Sequence, residues 1–199
     1  MTRVSEILMH LQQTASGPLT DAVSQLPEFY WHEDIAAAEN AAIFNRDWAC
    51  PGLAAEIPES GDFMTFSIAD KLLFSIRDGT GRIRTFVNVC RHRMMPLLTG
   101  NGHVSRITCP YHAWTYDLTG QLVGAGHMRH SLHFDKTKIC LPEIRTEIWN
   151  GWIYITLNAD AKSVAAALKP LNKIVARYHM QNYVPVLKED HVWRTNWKI

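Results

Sequence analysis

Apolar side chains recur at helical spacing at the beginning of the chain. Val4, Ile7, Leu8 and Leu11 would share one face of a helix, and Gly17-Pro18 then ends the pattern. A second helix is predicted over residues 32–44, where alanine is abundant. We therefore expect a helical extension over residues 1–45.

From Asp62 onward, apolar and polar positions alternate, which is the period of a strand with one buried face. The alternation predicts strands near residues 64–68, 72–76 and 83–89. Residues 78–81, with the sequence Asp-Gly-Thr-Gly, are typical of the hairpin turn between the second and the third strand. The central part of the chain is therefore expected to be antiparallel β structure.

The same signals continue toward the C-terminus. Residues 117–120 predict another hairpin, and the apolar run over residues 147–157 predicts the pair of strands that completes the fold. Residues 161–168 are helical by composition, and Pro170 is expected to begin a further helix that runs to about Tyr178.

Two short segments carry the chemistry of the chain. Residues 90–92 (Cys-Arg-His) and, after a gap of sixteen residues, residues 109–112 (Cys-Pro-Tyr-His) each contain one cysteine and one histidine. Two thiolates and two imidazoles are the ligand set of a Rieske [2Fe–2S] centre. The candidate cofactor and metal ligands are Cys90, His92, Cys109 and His112. Imidazole ligands carry less negative charge than thiolates, so the potential of such a centre rises to roughly −150 to +300 mV.

A zinc-stabilised structural module is the main alternative for these four residues. Structural zinc sites usually pair like ligands, as C-x2-4-C followed by H-x3-5-H. Each segment here is mixed, and the chain has no C-x-x-C that would indicate a redox dithiol. The spacing therefore favours the iron–sulfur centre.

Residues 88–93 and 109–117 resemble the Rieske domain of ring-hydroxylating-type (Rieske non-heme iron) oxygenase α subunits, and the resemblance extends from about Pro27 to the C-terminus. It implies that two cysteines ligate one iron and that two histidines ligate the other through Nδ1. These implied ligands are Cys90 and Cys109 for the first iron, and His92 and His112 for the second. Met94 and Ala113 stand where the family often has glycine, so a slightly different backbone geometry is expected at both.

The resemblance also separates two Rieske subclasses. High-potential respiratory and photosynthetic Rieske proteins cross-link the cluster loops through two further cysteines, whose positions correspond here to Met95 and Tyr111. This chain therefore resembles the lower-potential oxygenase and ferredoxin type, and we expect it in the cytoplasm. Cys50 and Cys140 are expected to be buried free thiols.

The implied fold is α+β and mainly antiparallel β, with Rieske-type layered sheets and flanking N- and C-terminal helices. We expect the Rieske domain over residues 46–160, and residues 161–199 to form C-terminal helices and the first strand of a catalytic domain. That strand is expected at residues 191–199, which resemble the Trp-x-x-x-Trp-Lys run of the family. The family's mononuclear Fe(II) site, two histidines and one carboxylate, lies further downstream. We therefore expect no catalytic residues here, and a portion of a longer α subunit or a naturally short relative.

Composition excludes several other classes. The 199 residues are 47% hydrophobic and 20% charged, with a formal net charge of +1, which does not suggest a nucleic-acid-binding protein. No apolar run approaches the roughly 20 residues that span a bilayer, and no signal-peptide core follows Met1.

No G-x-G-x-x-G is present, so flavin or nicotinamide binding is not expected. Electrons would then come from an NAD(P)H-dependent reductase or a ferredoxin, and the resemblance implies trimers.

Several neighbouring residues have open interpretations. His127, His130 and His133 could suggest a second metal site, but no acidic or cysteine ligand accompanies them. Arg91 and Arg93 either dock an acidic partner or are ordinary surface arginines. The two candidate histidine ligands are expected at the exposed edge of the cluster, with Trp114 packed beneath it.

The resulting hypothesis is an oxidoreductase component. The chain would relay electrons from a reductase or ferredoxin to the mononuclear iron of an oxygenase that acts on an aromatic ring or a small amine. The alternative is a stand-alone Rieske ferredoxin. The extra N-terminal helices and residues 193–199 count against it, because a minimal ferredoxin does not need them.

Overall fold

The computed structural model describes residues 2–126, 128, 131–187, 189 and 191–199. It divides into two compact units, one made of residues 1–43 with 188–199 and the other of residues 44–187. The expected segment 161–199 is thus split, since its last residues cluster with the N-terminal helices.

The first unit contains the two predicted N-terminal helices. Helix α1 spans Arg3–Ser16, and the hydroxyl of its N-cap residue Thr2 accepts a hydrogen bond from a backbone N–H of the first turn. Helix α2 spans Glu33–Glu39 and continues as a π-helical turn over Asn40–Phe44. Each of these two α-helices buries one isoleucine, and in α1 this residue, Ile7, belongs to the predicted apolar face.

The strand expected over residues 191–199 is not formed in the described part of this segment, so that prediction is wrong. The backbone turns instead, because the N–H groups of Lys198 and Ile199 donate to the side chain and the carbonyl of Asn196, at 3.0 and 3.1 Å. A strand needs a neighbouring ladder of hydrogen bonds, and side-chain contacts hold this segment instead. Lys198 Nζ lies 2.5 Å from Glu39.

The second unit is built on antiparallel β-sheets. Seven strands form one sheet in the order β1-β10-β9-β4-β3-β2-β5, and three form a smaller sheet in the order β6-β7-β8. The strands are β1 Ala49–Leu53, β2 Asp62–Ile68, β3 Lys71–Arg77, β4 Ile83–Val87, β5 Asn101–His103, β6 Ile107–Thr108, β7 Thr115–Tyr116, β8 Leu122–Gly124, β9 Glu143–Trp149 and β10 Trp152–Thr156. The α+β, mainly antiparallel class is confirmed.

Both predicted hairpins are present, and they use the same turn chemistry. Asp78 and Asp117 each accept hydrogen bonds from the backbone and hydroxyl of the threonine two residues later. The glycines that complete the turns, Gly81 and Gly120, have φ values of 85° and 86°. At Gly120 a Cβ atom would also lie 2.6 Å from the Phe86 ring. The second hairpin is therefore packed directly against the large sheet.

One hydrophobic core joins the two sheets. Phe63, Phe74, Ile76 and Phe86 come from the large sheet. They pack in one cluster with residues of the small sheet, of the two cysteine loops and of neighbouring segments: Cys90, Leu97, Ile107, Cys109, Trp114, Tyr116, Leu122 and Leu141. The core thus fixes the loops that carry the candidate ligands.

The C-terminal part of this unit is helical, as predicted. Helix α3 spans Val164–Ala167, so the first three residues of the predicted segment stay outside it, and Ser163 caps it. Helix α4 spans Asn172–Val175 and is flanked by 3-10 turns at Lys169–Leu171 and Ala176–Tyr178. No helix within the described residues is long and apolar enough to cross a membrane.

Cys50 and Cys140 are both exposed, which contradicts the expected burial. Cys50 lies in β1, an edge strand of the large sheet, and Cys140 forms an isolated bridge with Gln121 outside the named strands. The pattern of apolar and polar residues does not indicate that either cysteine is exposed.

Candidate iron–sulfur site

The first cysteine loop is closed by two backbone hydrogen bonds. The Cys90 N–H donates to the Met95 carbonyl at 2.8 Å, and the Met94 N–H donates back to the Cys90 carbonyl at 3.0 Å. This closure turns the chain sharply, so His92 lies at the tip of the same loop that buries Cys90.

The second loop is closed in the same way. The Cys109 N–H donates to the Trp114 carbonyl at 2.8 Å, and the Ala113 N–H donates to the Cys109 carbonyl at 3.0 Å. The two segments identified from the sequence are therefore equivalent in backbone hydrogen bonding as well as in residue type.

Met94 and Ala113 occupy the same place in the two closures, and both have a left-handed backbone, with φ of 58° and 55°. This conformation favours glycine and costs other residues roughly 1–2 kcal/mol. The expected change of backbone geometry at these positions is therefore not found. Both residues keep the left-handed geometry that suits glycine, and this conformation lowers the stability of the folded chain.

The two cysteines lie at the bottom of the loops, where Cys90 is 0% exposed and Cys109 is 3% exposed. Burial raises the pKa of the Cys90 thiol, and the neighbouring Cys109 thiol raises it further. Without a bound cation the Cys90 thiol therefore stays neutral. A bound metal ion would deprotonate a thiol ligand.

Tyr116 is a residue beside the candidate ligands that the sequence analysis did not identify. Its hydroxyl lies 3.3 Å from Cys90 Sγ and accepts a hydrogen bond from the Arg91 N–H at 3.0 Å. Burial, and then the contact with Cys90, raise the pKa of Tyr116, so the hydroxyl keeps its proton and donates toward the sulfur. The sequence feature that could have identified it is a tyrosine at an inward-facing strand position, because a buried hydroxyl requires a hydrogen-bond partner.

The two histidines lie closer to the surface than the cysteines, and both are half-buried. The ring centroids of His92 and His112 are 4.8 Å apart. Trp114 stacks on His92 at 4.8 Å with an interplanar angle of 9°, and the Tyr111 ring lies 3.7 Å from His112. Each imidazole is thus held against an aromatic ring of the second loop.

The buried imidazole nitrogens test whether these residues fit an iron–sulfur cluster. Nδ1 of His92 is buried and has no hydrogen-bond partner in the described part of the chain, and Nδ1 of His112 is buried as well. A buried nitrogen without a partner is costly, and a bond to a metal ion would satisfy it. The residues present therefore fit a group that binds through Nδ1.

The grouping of the donors also distinguishes a cluster from a single ion. Among the described residues, no three histidine, cysteine, aspartate or glutamate side chains converge closely enough to hold one metal ion. A structural zinc site needs four donors around one centre, whereas a [2Fe–2S] cluster needs a thiolate pair and an imidazole pair on two irons. The two pairs match the second requirement.

The remaining sequence candidates contribute less. His127 and His130 lie outside the described residues, and His133 is exposed, so the three-histidine site has no structural support. Arg91 and Arg93 are exposed beside the first loop. Trp114 is buried and packs against His92.

Comparison with known proteins bears on the cofactor of this part of the chain. A model of the Rieske [2Fe–2S] domain matches residues 47–142. The chain is 32% identical over 176 residues to a glycine betaine monooxygenase oxygenase subunit of Pseudomonas aeruginosa, covering 87% of this chain and 41% of that protein. Residues 47–142 are a Rieske [2Fe–2S] domain, and the relatives are oxygenase subunits of Rieske type. A Rieske [2Fe–2S] cluster is therefore the cofactor of this Rieske domain.

Other relatives agree. A carnitine monooxygenase oxygenase subunit of Escherichia coli is 31% identical over 85% of this chain and 46% of its own length. The crystal structure of the quaternary ammonium Rieske monooxygenase CntA with L-carnitine superimposes with a TM-score of 0.70 at 31% identity, covering 77% of this chain and 45% of that chain. A naphthalene 1,2-dioxygenase structure gives a TM-score of 0.64 at 28% identity over 68% and 31%. The Rieske chain thus spans less than half the length of these proteins.

Proposed function

We propose that this chain relays single electrons within a Rieske oxygenase, from a reductase or ferredoxin to a mononuclear non-heme iron. The observation that carries the proposal is the pairing of donors, since two equivalent loops bring two buried thiols and two half-buried imidazoles together. When bound, the [2Fe–2S] cluster supplies a one-electron acceptor and donor.

Each ligand pair has its own place in this proposal. Cys90 and Cys109 would hold one iron, and His92 and His112 would hold the other through Nδ1. The depth of the side chains supports the assignment, because the thiols are buried and the imidazoles are half-buried. The imidazole edge is then the side through which electrons enter and leave.

The residues around the ligands would adjust the reduction potential of the cluster. The Tyr116 hydroxyl donates to Cys90 Sγ, so it stabilises negative charge on that sulfur and favours the reduced state. Trp114 covers one face of the His92 ring and excludes water from it. Both contacts would adjust the reduction potential of the cluster without any change of ligand.

The names of the relatives suggest the substrate class. Glycine betaine, carnitine and choline monooxygenases are among the proteins that this chain matches. We therefore infer that the whole enzyme hydroxylates a small quaternary ammonium compound. A monooxygenation consumes two electrons, so a one-electron relay must act twice in each turnover.

The test is metal and sulfide analysis of anaerobically purified protein, with an electron paramagnetic resonance (EPR) spectrum after reduction by dithionite. The proposal expects about two irons and two acid-labile sulfides per chain and a Rieske-type signal. One zinc per chain without sulfide or signal would contradict it. His92→Asn and His133→Asn form a matched pair, because only the first is expected to remove the signal.

A further inference from the structure

The first unit of the chain places the Lys198 side chain among aromatic rings. Lys198 Nζ lies 4.6 Å from the centroid of the Phe29 ring, 5.4 Å from that of Trp197 and 5.8 Å from that of Tyr30. All three distances are within the roughly 6 Å over which a ring face attracts a cation. The Glu39 carboxylate lies 2.5 Å from Nζ. We refer to these three rings and this carboxylate as the cation box.

Hydrogen bonds hold the walls of the cation box in place. Trp197 Nε1 donates to a carboxylate oxygen of Glu39 at 3.0 Å, and Asn196 Nδ2 donates to the Tyr30 carbonyl at 2.9 Å. The side chains of Glu39 and Lys198 keep only 11% and 12% of their surface exposed. Because the attraction between a cation and aromatic rings is strongest where water is excluded, the box is well suited to bind a positive charge.

A primary ammonium group does not use this box fully. Lys198 Nζ carries three N–H donors, and among the described residues only the Glu39 carboxylate accepts a hydrogen bond from it. The aromatic rings provide no further acceptor, and a buried donor without an acceptor costs free energy. A quaternary ammonium group has no N–H and presents methyl groups to the rings. The composition of the box therefore suits a quaternary ammonium group better than a lysine.

A cavity of about 290 Å³ adjoins the cation box. Leu8 and Leu11 of helix α1 and Ile35 of helix α2 contribute to its apolar lining, and it reaches Phe29 and Lys198 of the box region. Sites for small molecules in proteins have volumes of roughly 300–1,000 Å³, so this cavity is at the lower end of that range. It has room for a small molecule whose ammonium group lies in the box.

We propose that the cation box binds a small quaternary ammonium compound and that Lys198 is its internal competitor. The lysine side chain fills the box without a ligand, and its flexible four-carbon chain lets it withdraw when a ligand enters. The ammonium group of the ligand then lies against the three rings and beside Glu39, and its other atoms extend into the cavity. The inference is independent of the electron relay, because the box belongs to the first unit and the four candidate cluster ligands belong to the second.

The experiment titrates the purified full chain with choline and, in parallel, with ethanolamine, which has the same skeleton but N–H groups in place of the N-methyl groups. Isothermal titration calorimetry compares the wild type with Lys198→Ala, which empties the box. Lys138→Ala is the matched control, because this lysine also forms an ion pair, with Asp135, but lies outside the box. The variant Glu39→Gln/Lys198→Ala removes the carboxylate as well.

We expect Lys198→Ala to bind choline about tenfold more tightly than the wild type, as when a competing side chain leaves about a tenth of the sites accessible. The same variant should bind ethanolamine about tenfold more weakly than choline. Lys138→Ala should behave as the wild type, and Glu39→Gln/Lys198→Ala should lose most of the affinity for choline. Choline should also raise the midpoint of thermal unfolding of Lys198→Ala, because it binds the folded chain in place of the lost cation.

Equal affinities of Lys198→Ala for choline and ethanolamine would contradict the proposal, because they would indicate an ordinary ion-pair site. Absence of choline binding to Lys198→Ala would also overturn it. If this variant does not fold, saturation-transfer nuclear magnetic resonance on the wild type decides. Choline signals that Phe29→Leu reduces would support the box, whereas their absence in the wild type or their persistence in Phe29→Leu would contradict it. None of these results requires the cluster, so the electron relay stands or fails separately.

Discussion

The two cysteine loops share one backbone plan but differ in the side chains around them. Residues 90–95 and 109–114 close with equivalent hydrogen bonds and place a left-handed residue at the same position. Cys90, however, has the Tyr116 hydroxyl beside its sulfur, whereas no hydroxyl donor to Cys109 is found among the described residues. The second loop instead supplies both aromatic rings that lie against the imidazoles. The common backbone thus defines the positions of the candidate ligands. The different side chains around them are expected to adjust the reduction potential.

The largest expected effect tests what the loops have in common. Cys90→Ser and Cys109→Ser should each reduce iron and sulfide to less than about a tenth of the wild-type content, because each removes a buried thiolate ligand. Cys50→Ser, at an exposed thiol, should leave the content unchanged. Colorimetric iron and sulfide assays measure it. Full cluster occupancy in either of the first two variants would break the proposed equivalence of the loops.

The hairpins next to the loops allow a similar comparison of stability. Asp78 and Asp117 accept the same turn hydrogen bonds, but the buried Asp78 is also paired with Arg84 at 2.8 Å. Although burial opposes it, hydrogen bonds from Thr80 and Arg84 lower the pKa of Asp78 from 3.8 to about 2. A lowered pKa contributes stability above the unfolded-state pKa, and this contribution is lost as the pH falls through about 2.

Asp78→Asn should therefore lower the free energy of unfolding by about 2 kcal/mol at pH 7. The loss should shrink progressively below pH 4. Asp117→Asn, which removes no ion pair, should cost less at pH 7. Urea unfolding followed by circular dichroism measures both. Equal losses at pH 7 would show that the Arg84 pair adds nothing to the turn.

The asymmetry of the loops is tested by Tyr116→Phe. Removing the hydroxyl takes a donor from Cys90 Sγ, so the reduced state is less stabilised and the reduction potential should fall. A hydrogen bond of about 1.4 kcal/mol corresponds to roughly 60 mV for one electron. Tyr111→Phe, which keeps the ring on His112, is the control with little expected change. Protein-film voltammetry gives both values, and an unchanged potential in Tyr116→Phe would remove the proposed tuning role.

The smallest expected effect concerns the left-handed residues. Met94→Gly and Ala113→Gly relieve a left-handed conformation but also give the unfolded chain more freedom, so a net gain of about 0.5 kcal/mol is expected for each. Ala166→Gly in helix α3 should instead cost about 1 kcal/mol. Thermal unfolding of the apo protein compares the three. A loss of stability at both loop positions would mean that the methionine and alanine side chains contribute more stability than their left-handed conformation costs.

Local signals predicted much of this molecule. The mixed cysteine–histidine spacing identified the four candidate ligands, and the Asp-x-Thr-Gly sequences at residues 78–81 and 117–120 identified both hairpins. These features depend on interactions within a few residues. Helical periodicity likewise identified the face of α1 that contains the buried Ile7, and alanine content identified α2.

The features that were missed depend on contacts distant in sequence. Tyr116 lies 26 residues from Cys90, and only the packing of the small sheet brings its hydroxyl to the sulfur. The exposure of Cys50 follows from the position of β1 at a sheet edge, which periodicity does not specify. Residues 191–199 resemble a strand of the family through their Trp-x-x-x-Trp-Lys run, but the described part of the segment is held by contacts such as Lys198 with Glu39.

The central claim is that the histidine pair and the cysteine pair hold different irons of one cluster. It is tested most directly by electron–nuclear double resonance on the dithionite-reduced chain labelled with 15N-histidine. The account predicts couplings from two histidine nitrogens in the wild type, and loss of the signal in His92→Asn and in His112→Asn. A cluster without 15N couplings, or a zinc-loaded chain without any signal, would contradict it.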